Sequence, residues 1–283
     1  MPGMPRDVGI RPERLRAIAG LIDLTTLEGS DTPDTVRRMC ELAREPGRDR
    51  LPEPLPPVAA VCVYPLLAPV AVETLAGSPV RVATVAAGFP SAQFRLDVRL
   101  ADVQAAIETG AHELDMVINR GLAIDGRDDE LADEIRQVRT LCCRGGVNVL
   151  KIILETGELG PPRAIRHVAE LALNAASSAP DAPAVTDGSV FLKTSTGKSH
   201  LGATNEAVRA LCEVIRAHHE STGVRIGLKV SGGVRSVETV AEMLDIIVEE
   251  LGEHWMRPGL LRFGASSLLE TIIADLEPDE PPA

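Results

Sequence analysis

The chain has 283 residues, of which 45% are hydrophobic and 25% charged, a composition typical of a globular protein with a sizeable core. Its net charge of −12 and the absence of any basic run argue against a nucleic-acid partner. No apolar run is long enough to span a membrane, and the N-terminal stretch lacks the apolar core of a signal peptide. The sequence therefore predicts a cytoplasmic protein without a membrane partner.

Cysteine usage supports the same compartment. The five cysteines are odd in number and include no C-x-x-C pair, which favours reduced thiols over disulfides or a zinc site. No group of histidines and acidic residues has metal-ligand spacing either. We therefore expect neither a metal ion nor another cofactor.

Eight short apolar runs rich in valine and isoleucine alternate along the chain with amphipathic segments. Runs of this composition are typical of buried strands, and the segments between them have the spacing of helices. The runs cover residues 21–27, 58–65, 80–89, 112–119, 147–156, 189–196, 225–233 and 260–267. Ser91, Thr204 and Ser236 are predicted helix N-caps.

Eight strand–helix units in a chain of this length predict a (β/α)8 TIM barrel, which typically needs about 250 residues. A doubly wound open sheet is the alternative, although it usually has fewer strands. We expect residues 1–283 to form one domain, with flexible termini at about 1–10 and 277–283.

Lysine is rare in this chain, because only four of the 29 basic residues are lysines. Lys151, Lys193 and Lys229 fall in the fifth, sixth and seventh runs, and Asp115 falls in the fourth. Neighbouring parallel strands lie about 4.8 Å apart, so inward-pointing side chains at one level would converge in a single pocket.

Two roles are open for these lysines. Buried lysines often form structural ion pairs, but arginine could serve in such pairs equally well. Lysine is required where a neutral amine must form and attack a carbonyl group. The sequence therefore favours a nucleophilic amine.

Two glycine-containing turns follow the last two strands. Residues 231–235 (SGGVR) and 264–267 (GASS) lie where barrels of this kind commonly bind phosphate, at the N-terminus of a helix. Glycines let the backbone approach a ligand closely, and serines add donors. The predicted phosphate site comprises Gly232, Gly233, Ser266 and Ser267, with added positive charge from Lys198 and Arg235.

For four further residues, the sequence leaves the choice between a functional and a structural role open. Cys62 either lines the pocket or fills the core, and the role of Asp23 is equally open. Glu155 and Thr156 end the fifth run, where they either orient a substrate or cap the following segment.

Several stretches together resemble the deoxyribose-phosphate aldolase family, whose members are class I aldolases with a barrel fold. The matching stretches are DLTTL (23–27), VCVYP (61–65), ELDMVIN (113–119), LKIILETGEL (150–159), FLKTSTGK (191–198), LKVSGGVR (228–235) and RFGASSLL (262–269). They span nearly the whole chain in the family's order.

The resemblance implies reversible, metal-free cleavage of 2-deoxy-D-ribose 5-phosphate to acetaldehyde and D-glyceraldehyde 3-phosphate. It makes Lys193 the Schiff-base lysine, Lys229 the cation that lowers its pKa, and Asp115 the acid/base, helped by a water. The substrate-binding set that we expect comprises Lys151, Thr196, Lys198, Gly232, Gly233, Arg235, Ser266, Ser267, Asp23 and Cys62.

Some family members carry a C-terminal tyrosine that assists proton transfer, whereas this sequence ends in EPPA and its one tyrosine is Tyr64. Another lysine-dependent aldolase, a transaldolase-like enzyme and a non-catalytic phosphosugar-binding barrel remain alternatives. The expected partners are sugar phosphates and aldehydes, and a homodimer is compatible with the sequence.

Overall fold

Eight parallel strands form the centre of the fold in a computed structural model, which describes residues 10–234 and 236–278. The strands are β1 (Ile22–Thr25), β2 (Ala60–Val63), β3 (Arg81–Ala86), β4 (Glu113–Val117), β5 (Val149–Ile153), β6 (Val190–Lys193), β7 (Gly227–Ser231) and β8 (Leu261–Ala265). They pair in chain order, and β8 closes on β1. The barrel prediction is therefore confirmed and the open sheet is wrong, because closure leaves neither β1 nor β8 as an edge.

Helices connect the strands and cover the barrel. They are α1 (Pro12–Ala19), α2 (Pro33–Arg44), α3 (Ala68–Thr74), α4 (Leu96–Glu108), α5 (Arg120–Ile124), α6 (Asp128–Arg144), α7 (Thr156–Leu159), α8 (Pro162–Ser177), α9 (Asn205–Thr222), α10 (Val237–Leu251) and α11 (Leu268–Leu276). Each long helix buries one apolar stripe; α9, for example, buries Val208, Leu211 and Ile215 at helical spacing. Within the described parts of the chain, no helix combines the length and hydropathy that crossing a membrane requires.

Two of the three predicted helix caps are confirmed. The Thr204 side chain accepts a hydrogen bond from the N–H of Ala207, and Ser236 caps α10 in the same way. The prediction for Ser91 is wrong, because α4 begins only after Arg95. The Ser91 hydroxyl instead accepts a hydrogen bond from the N–H of Gln93 within the preceding turn.

The barrel interior contains a group of buried charged residues. Strand residues alternate between two faces, so Glu113 and Asp115 on β4 share a face. The strand register sets Asp115 beside Lys151, and Lys229 beside Lys193 on one side and Arg262 on the other. The termini predicted to be flexible lie largely outside the described residues.

Small residues make room for the large side chains in this interior. A Cβ atom added at Gly227 would lie 2.4 Å from the Phe191 ring, and one at Gly264 would lie 3.0 Å from Cε of Lys229. The guanidinium carbon of Arg262 lies 5.7 Å from the centroid of the same Phe191 ring. Glycine at these two strand positions therefore lets bulky neighbours fill the barrel.

Gly227→Ala should destabilise the barrel, because the new methyl group overlaps the Phe191 ring. Overpacking of this kind costs about 1–3 kcal/mol, so thermal unfolding should shift down by several degrees. Gly29→Ala is the matched control, since a Cβ atom there meets nothing within 4 Å. A melting temperature equal to that of the control would show that the interior is looser than described.

Candidate active site

Asp115 lies at the centre of a group of lysines inside the barrel. Its Oδ1 accepts a hydrogen bond from Lys151 Nζ at 2.7 Å, and its Oδ2 accepts from Lys193 Nζ at 2.7 Å and Lys229 Nζ at 2.8 Å. All four side chains are buried. The predicted convergence of these residues from β4, β5, β6 and β7 is therefore confirmed.

Two further carboxylates and an arginine extend this group toward the N-terminal end of the barrel. Asp23 contacts Lys229 Nζ at 2.7 Å and Arg262 Nη1 at 2.5 Å. Glu113 contacts Lys151 Nζ at 2.6 Å and Arg262 Nη2 at 2.9 Å. We call the seven residues the charge cluster: Asp23, Glu113, Asp115, Lys151, Lys193, Lys229 and Arg262.

Glu113 and Arg262 were not among the predicted site residues. The sequence does carry a signal for them, because each is a charged residue inside an apolar strand run. Glu113 also precedes Asp115 by two positions, which places both on one face of the strand. Their mutual contact joins residues 149 positions apart, and the pattern of each strand alone gives no indication of it.

The charge cluster contains three carboxylates and four basic side chains. With every group ionised, its net charge would be about +1, and uncompensated charge in a buried site is unfavourable. Loss of one proton from a lysine makes the cluster neutral. The electrostatic surroundings of the lysines decide which one loses it.

Lys193 is the lysine whose surroundings favour the neutral amine. Burial lowers its pKa, and Lys229 lowers it further, against the opposing effect of Asp115. Burial acts on Lys229 in the same sense, but Asp115 and Asp23 outweigh it and raise the pKa of Lys229 well above its usual value. The net pKa of Lys151 is likewise raised, through Asp115 and Glu113.

Asp115 is held as a carboxylate by the same contacts. Burial alone would raise its pKa, but Lys151, Lys193 and Lys229 lower it well below the usual range of an aspartate. An ionised carboxylate can only accept hydrogen bonds, and Asp115 accepts three from the lysines. Asp115 can therefore orient the Lys193 amine.

A cavity of about 130 Å³ lies above Lys193 and Lys229, between the loops that follow β1, β6, β7 and β8. Gly232, Gly233 and Ser266, three of the residues predicted to bind phosphate, line its wall. The predicted residue Ser267 is exposed and is not part of this lining. Arg235 lies outside the described residues.

Lys198 and Thr196 reach this cavity from the loop after β6. Lys198 Nζ donates to Glu28 Oε1 at 2.8 Å, so a salt bridge connects the loops after β6 and β1. The Thr196 hydroxyl donates to the carboxylate of Glu155, which does not line the cavity. Glu28 was not predicted, because it lies in a polar turn with no distinguishing pattern.

Three predicted substrate-binding residues lie beneath the cavity lining. Lys151, Asp23 and Cys62 are fully buried around Asp115. The Cys62 Sγ lies 4.0 Å from Asp115 Oδ2, and burial raises the pKa of this thiol. Their contact with a substrate stays a prediction, whereas their contact with the charge cluster is direct.

Arg262→Leu should strongly destabilise the protein, because it removes the guanidinium that contacts both Asp23 and Glu113 and leaves these buried carboxylates with lysine partners alone. Breaking a buried pair typically costs about 3–5 kcal/mol, against at most about 1 kcal/mol for an exposed pair. Arg144→Leu is the control, since its pair with Asp181 is exposed. Denaturant unfolding at neutral pH measures both changes.

The same pair of variants should show a characteristic pH dependence. Burial opposes the Asp23 charge, but Arg262, Lys229 and Lys151 outweigh it and lower its pKa. A lowered carboxylate pKa stabilises the fold above the unfolded value of about 3.9, and this stability is lost as pH falls toward the folded value. The deficit of Arg262→Leu should therefore shrink below about pH 4. A small, pH-independent deficit would contradict the described cluster.

Comparison with known proteins agrees with this geometry. Residues 18–273 match the family model described as DeoC/LacD family aldolase. The human deoxyribose-phosphate aldolase is 42% identical over 266 residues, which cover 91% of this chain and 79% of the relative. The bovine deoxyribose-phosphate aldolase is 42% identical over 259 residues, covering 89% and 77%.

A solved structure supports the fold. The tetrameric deoxyribose phosphate aldolase from Aeropyrum pernix superimposes with a TM-score of 0.68 at 23% identity, covering 94% of this chain and 92% of that one. At this identity the likeness concerns the fold alone. The family match and the two mammalian relatives show that this chain belongs to the DeoC/LacD aldolase family.

Proposed function

We propose that this chain is a class I aldolase that reversibly cleaves 2-deoxy-D-ribose 5-phosphate to acetaldehyde and D-glyceraldehyde 3-phosphate through a Schiff base on Lys193. The observation that carries the proposal is the Lys193 amine itself. It lies on the floor of a cavity, its pKa is lowered, and its Nζ lies 2.7 Å from a carboxylate oxygen of Asp115. The names of the relatives supply the substrate.

The first step uses the neutral amine as the nucleophile. Nζ of Lys193 attacks the C1 aldehyde carbon of the open-chain sugar, and the resulting carbinolamine loses water to give a protonated Schiff base. Lys229 keeps its own proton throughout, because its pKa is raised. Its charge therefore disfavours protonation of Lys193 before each attack.

Cleavage follows from the electron demand of the Schiff base. The C3 hydroxyl loses its proton, the C2–C3 bond breaks, and its electron pair moves onto the Schiff base to form an enamine while glyceraldehyde 3-phosphate leaves. Protonation of the enamine at C2 and hydrolysis then release acetaldehyde and free Lys193, consuming the water lost earlier. We assign these proton transfers to Asp115 acting with a water, because its carboxylate lies 2.7 Å from the Lys193 amine that carries the Schiff base.

The remaining residues divide into two groups. Gly232, Gly233 and Ser266, with Lys198, would hold the 5-phosphate at the cavity wall, where backbone N–H groups and a cation can face it. Lys151 would act from below, by holding Asp115 in place. Substrate contacts of Ser267 and Arg235 stay predictions.

We place this reaction in the cytoplasm, in the breakdown of sugars derived from deoxyribonucleotides. Five free cysteines in the described residues, four of them buried, support a reducing compartment. We also propose that the whole chain is one domain, since the barrel elements run from Ile22 to Leu276. A homodimer stays a prediction for sedimentation analysis.

Replacing the proposed nucleophile tests the reaction. Lys193→Arg keeps the positive charge, but a guanidinium stays protonated at working pH and cannot attack a carbonyl. Turnover of deoxyribose 5-phosphate should fall to background, and borohydride should trap no sugar adduct. Peptide mass spectrometry of the wild type should locate the reduced adduct on Lys193.

Lys198→Arg is the matched control for adduct position, because it changes a lysine at the cavity mouth and leaves Lys193 in place. Its adduct should still map to Lys193. Turnover by Lys193→Arg, or a wild-type adduct on Lys151, would contradict the assignment. A wild type that binds the sugar phosphate without turnover or adduct would indicate the non-catalytic barrel.

A further inference from the structure

Glu155 is a buried acidic residue that the proposed mechanism leaves unused. It follows β5, is fully buried, and forms none of the salt bridges among the described residues. Its backbone φ of 56° lies in the left-handed region, which is uncommon for residues other than glycine. Such a conformation costs energy and persists only where the surroundings require it.

The side-chain hydrogen bonds of Glu155 that the structure describes all go to one neighbouring loop, residues 194–204, which we call the β6 loop. The Thr196 hydroxyl and the Thr196 N–H donate to Oε2, the latter at 3.3 Å, and the Ser199 hydroxyl donates to Oε1 at 2.9 Å. The side chain makes no capping bond to α7. Of the two roles that the sequence left open for Glu155, capping is therefore wrong.

The β6 loop in turn packs on the glycine turn after β7. The Ala203 N–H donates to the Gly232 carbonyl at 3.0 Å, and a Cβ atom at Gly202 would lie 2.2 Å from that oxygen. The Ser231 hydroxyl donates to the Ser195 carbonyl at 2.5 Å. The position of the loop therefore determines the shape of the cavity wall beside Gly232.

Thr196 connects Glu155 to the cation at the cavity mouth. Its hydroxyl donates to Glu155 and accepts the N–H of Lys198 at 3.1 Å. Glu155 itself does not line the cavity, whereas Thr196, Gly197 and Lys198 do. Any effect of Glu155 on a ligand must therefore pass through the β6 loop.

We infer that Glu155 is a positioning residue that sets the preference of this site for phosphorylated over unphosphorylated substrates. It holds the β6 loop against Gly232, and so places Lys198 and the adjoining backbone N–H groups to face a phosphate. The inference rests on the proposed function, because it assigns the wall beside Gly232 to the substrate phosphate. Lys193 lies on the cavity floor with Asp115 buried beneath it, so the reacting amine should be affected far less.

Glu155→Gln tests the inference directly. The amide keeps the size of the side chain, but it replaces one acceptor oxygen with an NH₂ group, which is a donor. That donor then faces the hydroxyl and N–H donors of the β6 loop. The ratio of kcat/KM for deoxyribose 5-phosphate to that for deoxyribose should fall by about tenfold or more, mainly through KM for the phosphorylated sugar. Tenfold corresponds to about 1.4 kcal/mol.

The matched control is Glu158→Gln, three residues later on the same segment. Glu158 is exposed and pairs with Arg120 at 2.5 Å, so its replacement should leave the ratio unchanged. An equal loss on both sugars in Glu155→Gln would indicate a general structural role and overturn the inference. An unchanged ratio would overturn it as well.

Two further measurements separate this inference from the proposed function. Borohydride trapping with acetaldehyde, which has no phosphate, should proceed at the wild-type rate in Glu155→Gln. If the wild type gives neither adduct nor turnover, the proposed function fails, and calorimetry with glycerol 3-phosphate tests the inference instead. Affinity about tenfold weaker in Glu155→Gln supports it, whereas equal affinity, or no wild-type binding, overturns it.

Ser199→Ala covers the case in which Glu155→Gln does not fold. It removes one of the donors to Glu155 in the middle of the β6 loop and leaves the buried carboxylate in place. The substrate ratio should fall in the same direction by a smaller factor. An unchanged ratio in a folded Ser199→Ala protein would overturn the inference.

Discussion

Asp115 accepts hydrogen bonds from three lysines in a barrel interior where none of these four residues is more than 2% exposed. Water cannot screen their charges there, so the cluster must compensate its own charge. Three carboxylates against four basic groups compensate fully when one lysine is neutral. Asp23 and Glu113, together with Asp115, raise the pKa values of Lys229 and Lys151, which leaves Lys193 as the lysine that loses its proton most readily.

The closed parallel barrel makes this arrangement possible. Its register brings β4 through β8 side by side, so residues far apart in sequence occupy adjacent positions at one level. The backbone N–H and C=O groups of neighbouring strands hydrogen-bond to one another. The interior side chains are held in place by contacts with their neighbours. The loops at the C-terminal ends can then differ in shape without disturbing the charge cluster, and Glu155 connects two of them.

Much of the fold and of the charge cluster was predictable, because the strand–helix alternation and the scarcity of lysine can be read directly from the sequence. The alternation of valine-rich runs and amphipathic segments indicated the barrel, and the scarcity of lysine drew attention to Lys151, Lys193 and Lys229. The partners Glu113 and Arg262 were missed, because their pairing spans 149 residues and depends on barrel closure. Ser91 was misassigned because a serine can bond to the backbone of a turn as readily as it caps a helix.

The lysines also differ in ways that composition does not reveal. In the sequence, Lys193 and Lys229 look alike, each inside an apolar run. Their difference arises from the second carboxylate: Asp23 contacts Lys229 at 2.7 Å, while Lys193 has Asp115 alone within ion-pair distance among the described residues. The direction of the pKa shift of each lysine therefore follows from tertiary contacts.

The central claim is that Lys193 is the most readily deprotonated lysine of the cluster. With only four lysines in the chain, an NMR pH titration of isotope-labelled lysine side chains can follow each one, with assignment by single Lys→Arg variants. The account predicts that Lys193 titrates below the free-lysine value of about 10.4, while Lys151 and Lys229 titrate above it. A Lys193 that titrates above that value, or a Lys229 that loses its proton first, would contradict it.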